Sequence, residues 1–297
     1  MNCCRPLIDN QLAKTFVEGI IGLTDPNKIS EAVTKIRRAE IQLVSMGKKC
    51  TYLSECYRDI RCASDVERVN LRAEIFQELI SHKRLINDDD IKKGQGGALP
   101  LTELKIEKQA IIISGLPASG KSTIANKIAD EWGAIILDSD FAKRKFPEFE
   151  EEFGASLVHE ESSIVVFGDE DANAEPCVKG YCISEGHNVV IPKIGNDRKS
   201  IISLAEYFCS YDYDVHLVLV SLNRQASTKR AFNRFMETNR YVPLSLIFDL
   251  YANDPMLAYH RMKNNKSFKS YGKVSTEGSS PKYIESSAGS PSLIFNN

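Results

Sequence analysis

Residues 115–123 read Gly-Leu-Pro-Ala-Ser-Gly-Lys-Ser-Thr, which is the G-x-x-x-x-G-K-[ST] spacing of a phosphate-binding loop. Glycine at 115 and 120 lets the backbone reverse and lets phosphate oxygens approach where a Cβ would intrude. The loop of Gly115, Leu116, Pro117, Ala118, Ser119, Gly120, Lys121, Ser122 and Thr123 then presents backbone N–H groups as an anion nest. That nest sits at the positive end of the helix that follows. Lys121 is expected to reach the β- and γ-phosphates of ATP, and the Ser122 hydroxyl to ligate Mg²⁺. An apolar strand, residues 109–114, precedes the loop, and a helical pattern with Ile124, Ala125, Ile128 and Ala129 follows it. This context separates a triphosphate site from a glycine-rich surface turn.

Two further groups of residues suit phosphoryl transfer. Asp138 and Asp140 follow the apolar run 134–137, and period-two geometry puts their carboxylates on one side of an extended segment. One would orient Mg²⁺ through water while the other accepts a proton from an attacking hydroxyl. Asp140, further out, is the expected base; Asp138 is equally suited to capping the next turn. The charged helix 227–240 carries Arg230 and Arg234, which share a face, and ends at Arg240. Planar, bidentate cations of this kind suit a transferring phosphate. Glu160 is a candidate for an acceptor pocket. His159, beside it, has no second histidine to complete a metal site.

The elements that must position these groups alternate. Strands are expected at 109–114, 134–137, 188–194 and 215–220, with helices at 122–132, 157–185 (broken near 169–173), 197–210 and 227–239, and another starting at Pro243. That alternation predicts an α/β fold, a P-loop kinase-like parallel sheet with helices on both faces, preceded by a small all-α domain. Residues 1–86 read as that helical domain, with helices at 9–23, 27–46, 51–63 and 64–80. Val66, Val69, Leu71, Ile75, Phe76, Leu79 and Ile80 of the last are expected to face inward. Residues 87–104, opening Asn-Asp-Asp-Asp, read as a flexible linker. Residues 105–276 form the kinase-like domain, with an edge strand near 270–276, and 277–297 read as a loose tail.

Bulk properties narrow the function classes. The chain has 297 residues, 42% hydrophobic and 26% charged, with net charge −2. No global basic field draws it to long nucleic acid, and no apolar run approaches the ~20 residues of a membrane span. The N-terminus lacks a signal-peptide layout, so a cytoplasmic location is expected. Eight cysteines fall into no zinc-ligand spacing and are expected to be reduced thiols.

Taken in order, the motifs over about residues 105–275 resemble the zeta toxin family of small-molecule kinases. They are the phosphate loop, Ile136-Leu137-Asp138-Ser139-Asp140-Phe141, Pro147-Glu148-Phe149 and His159-Glu160-Glu161-Ser162. Then come Gly186 with Asn188-Val189-Val190-Ile191, and Asn239-Arg240-Tyr241-Val242-Pro243. The resemblance implies ATP-dependent phosphorylation of a hydroxyl on a UDP-activated amino sugar such as UDP-N-acetylglucosamine. It implies Asp140 as the base, Lys121, Arg230 or Arg234, and Arg240 on the transferring phosphate, and Ser122 on Mg²⁺. One stretch departs. Where the family commonly carries Glu-Gly-Thr-like acceptor contacts, this chain has Pro192-Lys193-Ile194-Gly195, and Lys193 would suit a phosphate-bearing acceptor. A polynucleotide or nucleoside kinase shares the fold, and a nucleotide-binding regulatory module is the non-enzymatic alternative. Zeta toxins are usually held inactive by a small helical antitoxin, so residues 1–86 are a candidate for that role within the chain.

Overall fold

The computed structural model describes residues 5–47, 49–151, 153–169 and 175–296. Among these, six strands form one sheet in the order β2-β3-β1-β4-β5-β6. The first five, β1 (Gln109–Ser114), β2 (Ile135–Ile136), β3 (Val189–Lys193), β4 (Asp214–Ser221) and β5 (Ser270–Ser275), pair in parallel. The sixth, β6 (Lys282–Ser286), returns antiparallel to β5. Ala110 to Ser114 and Val215 to Ser221 are all buried. Continuous rather than alternating burial means that both faces of the sheet are covered, which is why these strands read as unbroken apolar runs. Helix α4 (Lys121–Trp132) leaves the phosphate loop directly and buries its Ile124, Ala125, Ile128 and Ala129 face.

The N-terminal 86 residues do not form one separate domain. Helices α1 (Asn10–Phe16) and α2 (Pro26–Met46) pack Phe16, Ile29, Val33 and Ile36 against Phe232 and Phe235 of α10 (Arg224–Thr238). Helix α3 (Asp65–Ser81), opened by a Ser64–Glu67 capping box, instead contributes Leu71, Ile75, Phe76 and Leu79 to the core around the sheet. It packs on α5 (Ser139–Lys143), α7 (His159–Phe167) and α8 (Val178–Glu185). Val66 and Val69, expected inside, are exposed, and Arg68 and Arg72 are buried in their place. Both arginines meet Glu161 of α7. Arg68 also bonds Glu148 at 2.7 Å, and Arg72 bonds Glu175 at 2.7 Å. A hydrophobicity pattern cannot register a face whose burial is made possible by ion pairing. Residues 51–63 form two single 3-10 turns, Glu55–Tyr57 and Ile60–Cys62, rather than a helix.

The expected linker is ordered. Its charge and glycine content serve an anchoring cation: the buried Lys145 ammonium donates to Glu78 at 2.6 Å and to the carbonyls of Lys92, Gln95 and Gly96. The Ile136 N–H donates to the Ala98 carbonyl at 3.0 Å, so the segment covers the free edge of β2. The expected tail is ordered too, forming β6 and a 3-10 turn, Pro291–Phe295, with Ser292 and Phe295 buried. The six described cysteines are free thiols; Cys3 and Cys4 lie outside the described residues. No helix among the described residues is long and apolar enough to cross a membrane.

Because α3 completes the core, cutting the chain at residue 100 is expected to unfold it, whereas cutting at residue 64 is not. Thermal melts of the fragments 64–297 and 100–297 check this. Glu161→Ala removes the carboxylate shared by two buried guanidinium groups, leaving each with one partner, and is expected to destabilise the chain in denaturant unfolding by up to about 3–5 kcal/mol.

Candidate active site

The site lies at the carboxyl ends of β1, β2 and β3, where ligands collect in open parallel sheets. Register fixes the arrangement. Ser114, the last residue of β1, stands opposite Lys193 on one side and Leu219 on the other. The chain then turns at Gly115, where an added Cβ would lie 2.6 Å from the Val220 carbonyl oxygen and 2.9 Å from Ser119 Oγ. Gly120 has φ +85°, and even Ala118 is held left-handed at φ +58°, a strain that clusters at functional loops. Three contacts tie the loop to its surroundings. The Gly115 N–H donates to the Ile194 carbonyl at 3.0 Å, Thr276 Oγ1 donates to the Ser119 carbonyl at 2.7 Å, and Ser227 Oγ donates to the Pro117 carbonyl.

Lys121 folds back onto the loop, donating to the carbonyls of Gly115 at 2.8 Å and Leu116 at 2.6 Å. Burial lowers its pKa to about 8, and the Arg234 charge adds to that against the opposing pull of Asp138 and Asp140. Asp138 caps α5, accepting the Asp140 N–H at 3.0 Å, so the capping alternative holds. Burial and then the Asp140 charge push its pKa up to about 6. Asp140, with its side chain 64% exposed, pairs with Lys143 at 2.7 Å. Partial desolvation by the surrounding site opposes its ionisation, but Lys143, Arg144 and Arg234 together hold its carboxyl below the usual range. The two carboxyls are pushed apart, and one is ionised well before the other.

A cleft of about 360 Å³ opens beside them, lined by Asp138, Asp140, Lys143, His159, Phe167, Lys193 and Gly195 among others. Lys193 Nζ sits 3.9 Å from the centroid of the Phe167 ring, and burial lowers its pKa. A larger, more open hollow of about 580 Å³ lies along α2, lined by residues such as Asn27, Lys35 and Arg38. It holds none of the strand-end groups, so the smaller cleft is the candidate site.

Of the residues expected from sequence, Asp138, Asp140 and Lys193 line the cleft, and Lys121 of the loop lies within electrostatic reach of both carboxyls. Arg234 is brought within electrostatic reach of both Lys121 and Asp140. Arg230 donates to the Thr276 carbonyl at 2.6 Å, beside the loop. Arg240 reaches Asp89 at 2.6 Å. Glu160 is exposed and does not line the cleft, so its expected pocket role is not met. Lys143, Arg144 and Asp89 were missed. Lys143 was legible as the residue one helical turn from Asp140; Asp89 carried no local signal.

Two donors suit a hydrated Mg²⁺, which keeps most of its waters and takes few protein ligands. They are the exposed Ser122 hydroxyl in the first turn of α4 and the Asp138 carboxylate, whose charge acts on neighbouring Lys121. No group of three or more His, Cys, Asp or Glu side chains suited to a metal occurs among the described residues.

Residues 99–270, more than half of the chain, match the family model for zeta toxins. The chain belongs to the zeta toxin family. Membership supports ATP-dependent phosphoryl transfer, with ATP as the donor. Among solved structures, the chain is similar to one from the PezAT chromosomal toxin-antitoxin system of Streptococcus pneumoniae. Identity is 14% over 78% of this chain and 86% of that one, at TM-score 0.49. It is also similar to a chain of the AvrRxo1-ORF1:-ORF2 complex with ATP (15%; 90% and 74%; TM-score 0.45) and to a gluconokinase from Sinorhizobium meliloti 1021 (16%; 59% and 86%; TM-score 0.34). These likenesses are distant and say nothing of the substrate. No curated protein is matched.

The lowered Lys121 pKa sets an expected pH dependence. Below about 8 the ammonium is charged; above it the charge is lost. Affinity for ATP is expected to weaken as pH rises from 7.5 to 9.5, the fall beginning near the free-protein pKa of about 8 and continuing until the higher pKa of the phosphate-bound lysine is passed. Titration calorimetry across that range checks this, and Lys121→Ala should bind weakly at every pH.

Proposed function

We propose that the chain is an ATP- and Mg²⁺-dependent kinase that transfers the γ-phosphoryl group to a hydroxyl of a small, anionic acceptor. A UDP-amino-sugar is the leading candidate class. The observation that carries the reading is the shared cleft. Two carboxyls of unequal basicity and the half-buried Lys193 line one strand-end opening, and the loop lysine lies within electrostatic reach of both carboxyls. A hydrolase or a switch has no use for a second cationic contact in the cleft that holds the carboxyls, whereas an acceptor with its own phosphate does.

In this reading Lys121 and the loop N–H groups hold the β- and γ-phosphates, and Arg230, Arg234 and Arg240 neutralise charge on the transferring group. Ser122 and Asp138 would hold Mg²⁺, which screens the phosphates when bound. The acceptor hydroxyl lies against Asp140. Its oxygen forms the new bond to γ-phosphorus as the bond to the β–γ bridging oxygen breaks, and its proton passes to the Asp140 carboxylate. In a loose transition state the hydroxyl keeps its proton until late, so a positioned, fully ionised carboxylate serves without high basicity. Lys193 would hold an anionic group of the acceptor in place of the acidic and hydroxyl contacts usual in the family. That exchange favours an acceptor bound through its phosphates.

Asp140→Asn is expected to retain ATP binding and lose turnover by about 10²–10⁴-fold. Wild-type turnover should also fall as pH drops below about 6, the pKa of Asp138 in the metal-free chain, with the midpoint moved lower as Mg²⁺ concentration is raised because the cation competes with the proton. Steady-state kinetics with calorimetry in parallel test both. Unchanged turnover in Asp140→Asn would sink the transfer reading and leave a nucleotide-binding module.

A further inference from the structure

Arg144, at the end of α5, and Arg240, just after α10, come from distant parts of the chain yet converge on one ring and one oxygen. Each guanidinium carbon lies 5.4 Å from the centroid of Phe149. Arg240 Nη1 donates to Asp89 Oδ1 at 2.6 Å. Arg144 Nη2 donates to the same Oδ1, and its Nη1 reaches the Asp89 carbonyl at 3.3 Å. The Arg144 side chain is 9% exposed, and its buried Nε meets no acceptor among the described residues. Two guanidinium groups stacked on an aromatic ring and aimed at one oxygen form a geometry that suits phosphoryl oxygens.

The pair belongs electrostatically to the nucleotide site. Arg234 feels Arg240, Asp140, Asp89 and Arg144 together, and Lys121 in turn feels Arg234. Asp89 differs from the arginines it joins. Its side chain is 52% exposed, and it belongs to a three-residue turn, Asp88–Asp90, in which no residue is buried. The turn is held against the phosphate-loop helix on one side, where Asn126 Nδ2 donates to both Asp88 carboxylate oxygens at 3.2 and 3.3 Å. On the other side Ile91 anchors it in the core.

We propose that Arg144 and Arg240 form a phosphoryl-binding clamp of the nucleotide site, and that Asp89 is the internal anion filling the clamp until nucleotide phosphates replace it. The proposal deepens the phosphotransferase reading and rests on it. A single carboxylate relieves the repulsion among Arg144, Arg234 and Arg240 when no ligand is bound. A polyphosphate carries more charge and more oxygens, so it displaces the carboxylate where a monoanion does not. The exchange taxes apparent affinity by the fraction of molecules whose clamp is open.

The test is calorimetric titration of the full chain with Mg-ATP and, separately, with inorganic tripolyphosphate. Asp89→Asn is expected to tighten both by about tenfold, since the closed clamp has roughly the strength of two partly exposed ion pairs. Arg144→Ala is expected to weaken both, and adding Asp89→Asn to it should tighten them by less than the tenfold seen in the full clamp, since only the Arg240 contact is then left to release. Arg144→Gln repeats the measurement should alanine disturb the packing on Phe149. If Asp89→Asn leaves affinity unchanged or weakens it while Lys121→Ala abolishes binding, the clamp is overturned alone. If Lys121→Ala leaves binding intact, the phosphotransferase reading falls with it.

Discussion

The structure depends first on the parallel pairing of β1 between β3 and β4. That register sets Ser114 level with Lys193 and Leu219, so three loops must leave the sheet side by side at one edge. Their backbone groups have few ways to be satisfied, and they are satisfied by one another: the Gly115 N–H on the Ile194 carbonyl, and the Thr276 hydroxyl on the Ser119 carbonyl. The phosphate loop is therefore fixed before any ligand arrives. Its lysine rests on the loop's own carbonyls, contacts that an incoming phosphate can replace without rebuilding the loop.

Crowding charged groups at that edge also produces the electrostatics. Asp138 and Asp140 are two residues apart, yet one binds its proton more tightly than a free carboxyl and the other less tightly. The difference comes from Lys143, which pairs with Asp140 directly, while Asp138 is left to burial and to its neighbour's charge. Divergent carboxyls of this kind allow one to serve as a ligand and the other as a proton acceptor. The segments before the loop support the same edge. Arg68 and Arg72 pin α3 to α7 through Glu161, and Lys145 gathers residues 92–96 against Glu78.

What was legible in the sequence was local. The phosphate loop needs only its own spacing, β1, β3 and β4 announce themselves by apolar runs, and Asp138-Ser139-Asp140 follows directly from β2. What was not legible depends on partners far along the chain. The acidic, glycine-rich stretch 87–100 reads as a flexible linker because local propensity does not see Lys145, about 50 positions away. Asp89 and Arg240 are 151 positions apart, and no pattern links them. Arg68 and Arg72 read as surface residues because their burial depends on Glu161. The division at residue 86 failed for the same reason: α3 is helical, as its period indicates, but its apolar face belongs to the sheet. That integration covers α3 alone, since α1 and α2 pack instead on α10.

The central claim is that the γ-phosphoryl group held at Lys121 passes to an acceptor hydroxyl lying beside Asp140. The most direct measurement is mass spectrometry after incubating the full chain with ATP, Mg²⁺ and a panel of nucleotide sugars, nucleosides and oligonucleotides. The account predicts that one anionic small molecule, a UDP-amino-sugar first among them, gains a single phosphoryl group, and that Asp140→Asn prevents the gain. Release of inorganic phosphate with every acceptor unmodified would contradict it.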